Sequence, residues 1–273
     1  MTSAIDRPTY EVLAMRYATH EQRYARDNFL HADDHDTIMP IDYYVWAIRG
    51  PLEDHQRRVI VVDTGMAPDA PTRHPGRRIL LPVDQALSQA GISTAEVHDV
   101  VITHMHYDHG GRLDLFPDAT FHVQDAEMDF CTGRAMCHDT LRVAFDVDDV
   151  AAAVRHVHTG RVQFHVGDAE IAPGVTVHLI GGHTGGLQVV RVPTARGWVV
   201  LASDATHLWA NIRTANPFPI VADIVAMVEG YRKLESLADG PDHIIPGHDP
   251  LVRTRFPRVG DTEVVRLDLE PAT

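Results

Sequence analysis

The sequence predicts a single α/β domain spanning residues 1–273, in which β-sheets pack face to face and helices cover their outer sides. Short apolar runs typical of strands alternate irregularly with amphipathic helical stretches in both halves of the chain, which does not fit a regular βαβ barrel. No linker-like stretch interrupts the middle of the chain. Hydrophobic residues make up 44% of the 273 residues, which is enough for a sizeable core.

The elements of the first half follow from apolar patterning and from the residues at turns. Aromatic and β-branched residues predict strands at 43–48 and 59–62, and the residues between them are typical of a hairpin connection. The run at 97–103 is short, apolar and β-branched, as expected of a buried strand. The remaining predictions here are a helix at 83–90 ended by Gly91, a strand at 120–123 and a helix that begins near Gln124.

The second half begins with a segment of irregular pattern, residues 128–160, which we interpret as a helical insertion. Short apolar runs then predict strands at 161–165, 175–180, 187–192 and 198–202. Apolar residues near helical spacing predict a helix at about 220–237, and a last apolar run predicts a strand at 243–245.

The charge balance excludes several classes of partner. Acidic residues number 38 and basic residues 24, so the net charge is −14, and such a surface repels nucleic-acid phosphates and anionic lipids. No apolar run approaches the roughly 18–20 residues of a membrane span, and the first residues lack the order of a signal peptide. Since Cys131 and Cys137 are the only cysteines, we expect a cytoplasmic protein with reduced thiols and with neither a nucleic-acid nor a membrane partner.

The strongest chemical signal is the motif H-x-H-x-D-H at residues 104–109, directly after a predicted buried strand. Neutral imidazole nitrogens and carboxylate oxygens are ligands that divalent zinc, iron, cobalt and manganese accept. Side chains alternate in an extended segment, so His104, His106 and Asp108 are expected to share one side. The turn at Asp108-His109 then allows His109 to face a second ion. The alternative is a solvated, histidine-rich loop, which the placement after a strand disfavours.

Three isolated residues extend this motif. His183 lies in a glycine-rich turn between two predicted strands, Asp204 ends an apolar strand, and His248 follows another apolar run. Functional groups gather at such strand ends because the scaffold below them is rigid. Each residue alone would be read as an ordinary polar loop residue. Together with the motif they supply seven ligands, enough for two ions.

These residues, in their order and spacing, resemble the metallo-β-lactamase superfamily over nearly the whole chain. The resemblance implies the αββα sandwich of two mixed sheets flanked by helices. It also implies two divalent transition-metal ions per chain, with zinc favoured and iron, manganese or cobalt open. One ion is assigned to His104, His106 and His183 and the other to Asp108, His109 and His248, with Asp204 bridging them. Asp63 resembles the superfamily's carboxylate that orients a ligand histidine, the alternative being a strand-end aspartate that caps a turn.

Several branches of the superfamily are disfavoured by single features of the chain. The zinc β-lactamases usually lack the bridging aspartate, and the flavodiiron proteins carry glutamate where this chain has His106. The transfer-RNA processing nucleases need a basic surface, whereas this chain is strongly acidic. The glyoxalase II-type thioesterases usually carry a C-terminal basic patch for glutathione. The segment after His248 holds Arg253, Arg255, Arg258 and Arg266, so that branch is weakened but stays open.

The chain is most similar to the N-acyl homoserine lactonase group. The similarity lies in the chain length, in residues 39–46, in the Val-Asp-Thr-Gly sequence around Asp63, and in the Pro-Gly-His-Asp sequence at 246–249. Those lactonases typically carry a tyrosine three residues after the bridging aspartate, where this chain has His207. An imidazole can donate a hydrogen bond to the substrate, but a pKa near 6.5 predicts that the donation depends on pH. An exposed residue at a helix start is the alternative reading of His207.

The predicted function is therefore a metal-dependent ester hydrolase, a quorum-quenching lactonase in which a metal-bridging hydroxide opens the lactone ring. Asp108 is expected to carry the proton from the attacking water to the ring oxygen, and His207 to steady the developing oxyanion. Substrate contacts are expected from Tyr107, Met66, Trp209 and Phe218, although a core position is the alternative for the last three.

Two other functions stay open at this point. The first is hydrolysis of another ester or a thioester, as in the glyoxalase II-type enzymes, on the same metals. The second is a non-catalytic ligand-binding protein that keeps a metal site, which the complete set of ligands disfavours. The partner is a small-molecule lactone or ester in the first two cases. The sequence leaves the oligomeric state open, and the resemblance to the superfamily implies a homodimer as one possibility.

Overall fold

The computed structural model describes residues 8–31, 36–51 and 58–272. It has the αββα architecture that the sequence predicts, with two mixed β-sheets packed face to face and helices on their outer sides. The predicted hairpin connection before residue 58 falls largely on 52–57, which lie outside the described residues.

The first sheet contains eight strands: β1 (Glu11–His20), β2 (Ile41–Gly50), β3 (Arg58–Val62), β4 (Arg78–Ile79), β5 (Asp99–Val101), β6 (Thr120–Gln124), β7 (Val162–His165) and β13 (Val264–Arg266). Their order is β13-β1-β2-β3-β5-β6-β7, and β4 pairs with β1. The pairing is antiparallel from β13 to β3 and parallel from β3 to β7.

The second sheet contains five strands: β8 (Ala169–Ala172), β9 (Val175–Leu179), β10 (Gln188–Thr194), β11 (Gly197–Ser203) and β12 (Ile244–Pro246), in the order β12-β11-β10-β9-β8. Only the pair of β11 and β12 is parallel among these strands. The structure therefore confirms the strands predicted in the second half, with shifts of one or two residues at their ends.

Eight α-helices complete the described residues: α1 (Ala70–Arg73), α2 (Val83–Gln89), α3 (Asp125–Thr132), α4 (Asp139–Arg142), α5 (Val147–His158), α6 (Trp209–Thr214), α7 (Ile224–Leu237) and α8 (Leu251–Arg255). The segment 128–160 is helical, as predicted. Helix α7 begins at Ile224 rather than near 220, because the side chain of Asp223 accepts a hydrogen bond from the backbone N–H of Ala226 and caps the helix there. None of the described helices is long and apolar enough to cross a membrane.

Strand β2 shows how the layers are built. Its residues are buried on both faces: Trp46 packs between the two sheets with Val190 and Val199, whereas Val45 faces the helices on the outer side. The outer face of the second sheet packs against α7 through Met227 and its neighbours. Because side chains alternate along a strand, one run of apolar residues supplies two separate cores.

The main difference from the sequence-based prediction is β1, whose segment appeared only polar and mixed in charge. Eight of its ten residues are buried. Its charged residues are paired rather than solvated: Glu11 contacts Arg49 and Arg266, and Arg16 contacts Asp42 and Glu263. Paired charges of this kind hide a buried strand from a reading based on apolar alternation.

Candidate metal centre

The seven predicted ligands meet at one edge of the sandwich. The motif at 104–109 follows β5, His183 lies between β9 and β10, Asp204 comes directly after β11, and His248 follows β12 by two residues. All seven side chains are buried. The strand ends of both sheets therefore converge on one group of imidazole and carboxylate side chains.

Strand β5 ends earlier than the predicted 97–103 because its last residues turn towards this group. The backbone N–H of Thr103 donates to Asp63 Oδ1 at 2.7 Å rather than to a neighbouring strand. The Thr103 hydroxyl donates to Asp63 Oδ2 at 2.8 Å. These bonds turn the chain out of the sheet immediately before His104.

Four of the seven residues form a first cluster, in which the potential ligand atoms of His104, His106, His183 and Asp204 lie within 4.8 Å of one another. His106 Nδ1 lies 3.1 Å from His104 Nε2 and 2.9 Å from His183 Nε2. Three imidazole nitrogens thus face one point in a buried space, where a cation is a better partner than a second nitrogen lone pair.

The other three residues, Asp108, His109 and His248, form a second cluster, whose potential ligand atoms also lie within 4.8 Å of one another. Asp204 reaches both clusters. Its Oδ2 lies 3.2 Å from His183 Nε2, and its Oδ1 lies 2.9 Å from His248 Nε2 and 3.3 Å from His109 Nε2. Asp204 therefore occupies the position expected of a carboxylate shared by two ions.

Oxygen atoms behind the histidines set their tautomers. His109 Nδ1 lies 2.7 Å from Asp63 Oδ2, and the Nδ1 atoms of His183 and His248 lie 2.7 Å and 2.9 Å from the backbone carbonyl oxygens of Ile220 and Asp42. Each acceptor requires a proton on Nδ1, which leaves the Nε2 lone pair of a neutral ring pointing into the centre. Asp63 thus makes the contact with a histidine that the resemblance implies for it.

The electrostatics of the two clusters differ. Burial and the neighbouring imidazoles lower the pKa of His104 and His106 well below the usual value, so these rings are neutral. Burial also opposes the charged form of His109, but Asp204, Asp108 and Asp63 outweigh it and raise its pKa well above the usual value. Carboxylates therefore attract positive charge to the second cluster, whether it is a proton or a metal ion.

These residues fit a pair of divalent ions. His109 Nε2 and Asp204 Oδ1 are buried and have no hydrogen-bond partner among the described residues, although unsatisfied buried polar atoms are costly. The donors are imidazole nitrogen and carboxylate oxygen throughout, the set that zinc, iron, manganese and cobalt share. The two clusters therefore have the donor atoms and the geometry suited to divalent metal ions.

His207 lies inside the centre. It is 3% exposed, its Nε2 atom is 3.0 Å from Asp204 Oδ2, and its ring stacks on Phe218 with centroids 3.7 Å apart. The reading of His207 as an exposed helix-start residue is therefore wrong. Burial lowers the pKa of His207 to about 3, so the expected titration near pH 6.5 is also wrong. The ring lies within reach of Asp204 and His248 as a further potential ligand.

The cavity beside the clusters is lined by two of the four predicted substrate contacts, Tyr107 and Phe218. Met66 and Trp209 are corrected: Met66 is part of the core on the helix side of the first sheet. Trp209 is buried between the sheets and donates its indole N–H to the backbone oxygen of Ile244 at 2.8 Å. An adjoining cavity of about 460 Å³ shares His106, His183 and Ile220 with the first and is lined by apolar residues such as Leu141 and Val143.

Sequence reasoning missed three charged residues near the clusters. Glu127, in α3, is buried and accepts hydrogen bonds from the backbone N–H of Met105 and from the hydroxyl of Thr184. Arg23 and Arg77 line the cavity itself. None of them belongs to a local motif, and an acidic residue in the first turn of a helix is common for electrostatic reasons alone.

Comparisons with known proteins agree with this geometry. The sequence model of the metallo-beta-lactamase superfamily matches residues 43–248. The chain is 27% identical over 179 residues to the N-acyl homoserine lactonase AttM of Rhizobium johnstonii, across 64% of this chain and 66% of that protein. It is 31% identical over 206 residues to the human metallo-beta-lactamase domain-containing protein 1, across 74% of this chain and 62% of that protein. The match thus spans just under two thirds of these relatives.

Solved structures share the fold. A quorum-quenching N-acyl homoserine lactone lactonase superposes with a TM-score of 0.74 at 20% identity, over 94% of this chain and 99% of that chain. AidC, a dizinc quorum-quenching lactonase in complex with a product, superposes with a TM-score of 0.69 at 16% identity, over 96% of this chain and 95% of that chain.

Proposed function

The chain belongs to the metallo-beta-lactamase superfamily, and we propose that it is an ester hydrolase that opens the ring of a lactone, such as an N-acyl homoserine lactone. In this proposal the enzyme uses two divalent ions, and zinc is the favoured metal. The observation that carries this proposal is the position of Asp204, whose two oxygens face two separate groups of buried ligands. The lactonases among the relatives support the choice of a lactone.

We assign His104, His106 and His183 to one ion, Asp108, His109 and His248 to the other, and Asp204 to both. When bound, the two ions supply Lewis acidity, which polarises a carbonyl group and lowers the pKa of a water molecule. The hydrogen bonds behind His109, His183 and His248 hold the Nε2 atoms in place before any ion arrives.

Asp108 moves the proton in this proposal. Its Oδ2 atom faces His109 Nε2 at 3.5 Å and His248 Nε2 at 3.7 Å, which leaves Oδ1 to take a proton from the attacking water. The positive charge at the second cluster keeps the Asp108 carboxylate ionised. The proton that Asp108 accepts from the water then passes to the ring oxygen that leaves. The apolar cavity of about 460 Å³ next to His106 and His183 would hold the acyl chain.

A glutathione thioester is a poorer candidate, because three of the four arginines after His248 are already paired. Arg253 contacts Glu263 at 3.0 Å, Arg255 contacts Asp242 at 2.9 Å, and Arg266 contacts Asp268 at 2.6 Å. None of them lines the cavity beside the clusters. Paired guanidinium groups do not offer a basic patch to an anionic tripeptide.

The test combines metal analysis with a substrate panel. The purified protein should hold about two transition-metal ions per chain and hydrolyse lactones faster than aryl esters or a glutathione thioester. Asp204→Asn should lose metal and activity, because a neutral amide cannot offset two cations, whereas His158→Ala, on the exposed end of α5, should change neither.

Two results would contradict the proposal. One ion or none in protein never exposed to chelator would remove the dinuclear centre. Cleavage of the thioester alone, with every lactone left intact, would leave a metallohydrolase of another substrate class.

A further inference from the structure

Two arginines, Arg23 and Arg77, line the cavity beside the metal clusters. Arg23 follows β1 and Arg77 precedes β4, so they come from segments that contribute no predicted ligand. Both side chains are half-buried. Two guanidinium groups at the mouth of a site are unexpected in a chain whose net charge is −14.

Among the described residues, neither arginine forms an ion pair with a carboxylate. Arg23 donates to the amide oxygen of Asn28 and to the backbone oxygen of Asp27. Arg77 donates to the Tyr107 hydroxyl at 2.9 Å and to the backbone oxygen of Pro75 at 2.8 Å. Within residues 8–31, 36–51 and 58–272, no ion pair involves either one, and each guanidinium has five N–H donors of which only part are used.

Several other partly buried arginines of this chain are paired with carboxylates. Arg16, Arg49 and Arg73 all form ion pairs with aspartate or glutamate. Burying a charge without a partner costs free energy. Arg161 and Arg196 also lack an ion pair among the described residues, but they donate to backbone oxygens and line neither cavity beside the clusters. Arg23 and Arg77 therefore differ from the other arginines in their position, with their charges uncompensated at the cavity.

The guanidinium groups of Arg23 and Arg77 lie close enough to each other that both charges act on His20. Burial, followed by the charges of Arg77 and Arg23, lowers the pKa of His20 to about 4, so this ring adds no charge. The carboxylate of Asp108 also interacts electrostatically with Arg77, but Asp108 is already assigned as a ligand of the metal ions. The corner of the cavity thus stays positive when the centre is loaded.

Aromatic rings hold both guanidinium groups against the cavity wall. Arg23 lies over the ring of Phe218 at 4.6 Å from its centroid, and Arg77 lies over the ring of Tyr107 at 5.7 Å. Both rings line the same cavity. Such stacking restricts the side chains to a few orientations, which lowers the entropic cost of binding a ligand.

We propose that Arg23 and Arg77 form an anion subsite beside the metal centre, and that the preferred substrate carries an ionised carboxylate near the ester bond that is cut. This proposal rests on the proposed function and narrows its substrate class to lactones that carry a carboxylate, which it ranks above the neutral N-acyl homoserine lactones. The cavity is narrow, with about 20 Å³ of space for a water-sized group. A planar carboxylate matches the planar fork of a guanidinium group and needs little room.

The test compares two substrates of nearly equal size. One is a γ-butyrolactone with a free carboxylate on a ring carbon, and the other is the corresponding primary amide. We expect kcat/KM to be about 10- to 100-fold higher for the carboxylate, the range expected for a hydrogen bond to a charged group. Arg23→Gln and Arg77→Gln should each bring this ratio towards one, mainly by raising KM for the carboxylate.

Matched variants separate the subsite from general damage. Arg232→Gln removes an exposed arginine of α7 and should leave the ratio unchanged. Arg77→Lys keeps the charge without the planar fork, so it should retain part of the preference even if Arg77→Gln folds poorly. A parent enzyme with equal kcat/KM for both substrates would overturn the proposal, and so would an unchanged ratio in the Arg23→Gln and Arg77→Gln variants.

A binding measurement distinguishes failure of the subsite from failure of the proposed function. Calorimetry on the metal-loaded protein should show that succinate binds about 10-fold or more tightly than succinamide, and that the Gln variants lose this difference. Succinate binding that depends on the arginines, without hydrolysis of any ester, would support the subsite and contradict the lactonase. Ester hydrolysis together with equal succinate binding in parent and variants would support the proposed function and contradict the subsite. Tighter binding of inorganic phosphate than of succinate would overturn the choice of a carboxylate.

Discussion

His207 is the residue at which this chain departs from the usual pattern of the acyl homoserine lactonases, and the structure changes how it has to be understood. Its Nε2 atom faces Asp204 Oδ2 at 3.0 Å, and its Nδ1 atom is buried with no hydrogen-bond partner among the residues that the structure describes. If Nε2 donates to Asp204, the neutral ring offers only a lone pair at Nδ1. Donation to a substrate oxygen therefore requires the other tautomer.

We predict that His207→Ala lowers turnover by about 10- to 1,000-fold while the metal content stays the same, since one positioned donor is lost. His207→Tyr should keep much of the activity, because its hydroxyl is also a donor. Metal analysis of both variants, with His158→Ala as the control, checks the assignment. Loss of an ion from His207→Ala would instead make His207 a ligand together with Asp204 and His248.

Asp149, the third residue of α5, offers a test of stability away from the metal centre. Its carboxyl is buried, and its Oδ2 has no hydrogen-bond partner in the described part of the chain. Burial together with Asp146 raises its pKa to about 7. The folded protein therefore holds this proton at pH values where the unfolded chain has lost it. The free energy of unfolding must fall as the pH rises from about 4 to about 7.

Asp149→Asn removes this dependence. We predict that the variant is more stable than the parent by about 1–2 kcal/mol at pH 8 and no more stable at pH 4. The gain is smaller than ~1.36 kcal/mol per pKa unit implies, because the carboxyl is partly solvated. Urea unfolding at the two pH values measures it, and Asp129→Asn, an exposed change in α3, is the control. Equal gains at both pH values would show that ionisation is not the cause.

Among the elements, α3 connects the two loops that carry the histidines of the first cluster. Glu127 accepts from Met105 N at 2.7 Å in one loop, and from Thr184 Oγ1 at 2.6 Å and Gly186 N at 3.1 Å in the other. The second loop approaches the helix so closely that a Cβ atom on Gly186 would lie 2.0 Å from the backbone nitrogen of Glu127. The helix thus sets the distance between His106 and His183.

We predict that Glu127→Gln destabilises the protein by about 1–3 kcal/mol and lowers its metal content, because the amide N–H₂ group must face a donor where the carboxylate accepted one. Denaturant unfolding and metal analysis measure the two effects. Asp125→Asn, an exposed change in the first turn of the same helix, should have neither effect. Full metal content with a destabilised fold would mean that the loops keep their distance without Glu127.

The elements also show what the sequence can predict. Strands β2, β3 and β11 were found because each carries an uninterrupted apolar run, and the ligands were found because they lie at or close to the ends of predicted strands. Strand β1 was missed because its charges are cancelled by partners far away in the sequence, such as Glu263 for Arg16, 247 positions away. Glu127, Arg23 and Arg77 have the same property: their roles come from contacts distant in sequence, and no local pattern contains them.

For the whole molecule, the predicted ligands come from both sheets. Residues 104–109 follow a strand of the first sheet, whereas His183, Asp204 and His248 lie beside strands of the second. Ions bound here would join the two layers at one edge, and ligands that bind only the folded state stabilise it.

We predict that a chelator lowers the melting temperature by about 5–10 °C, since binding at 100 times Kd contributes about 2.7 kcal/mol and 1 kcal/mol corresponds to about 2–4 °C in a protein of this size. Adding zinc should restore the original value, and Asp204→Asn should respond to neither treatment. The measurement is a thermal melt followed by circular dichroism. An unchanged melting temperature after complete removal of metal would show that the ions do not stabilise the contact between the sheets.

The pairing of β1 with β13 has a consequence for the order in which the protein assembles on the ribosome. Leu13 lies opposite Arg266 in the sheet, and the backbone N–H of Leu267 donates to Val12. Strand β1 therefore waits for β13, which is synthesised after His248 has emerged and the set of predicted ligands is complete. During this interval β4 covers only Ala18 and Thr19 on this edge of β1, so the stretch around Leu13 has no neighbour and can pair with another nascent chain. Slow translation of residues 249–266 should therefore favour aggregation of a polypeptide that already contains every predicted ligand.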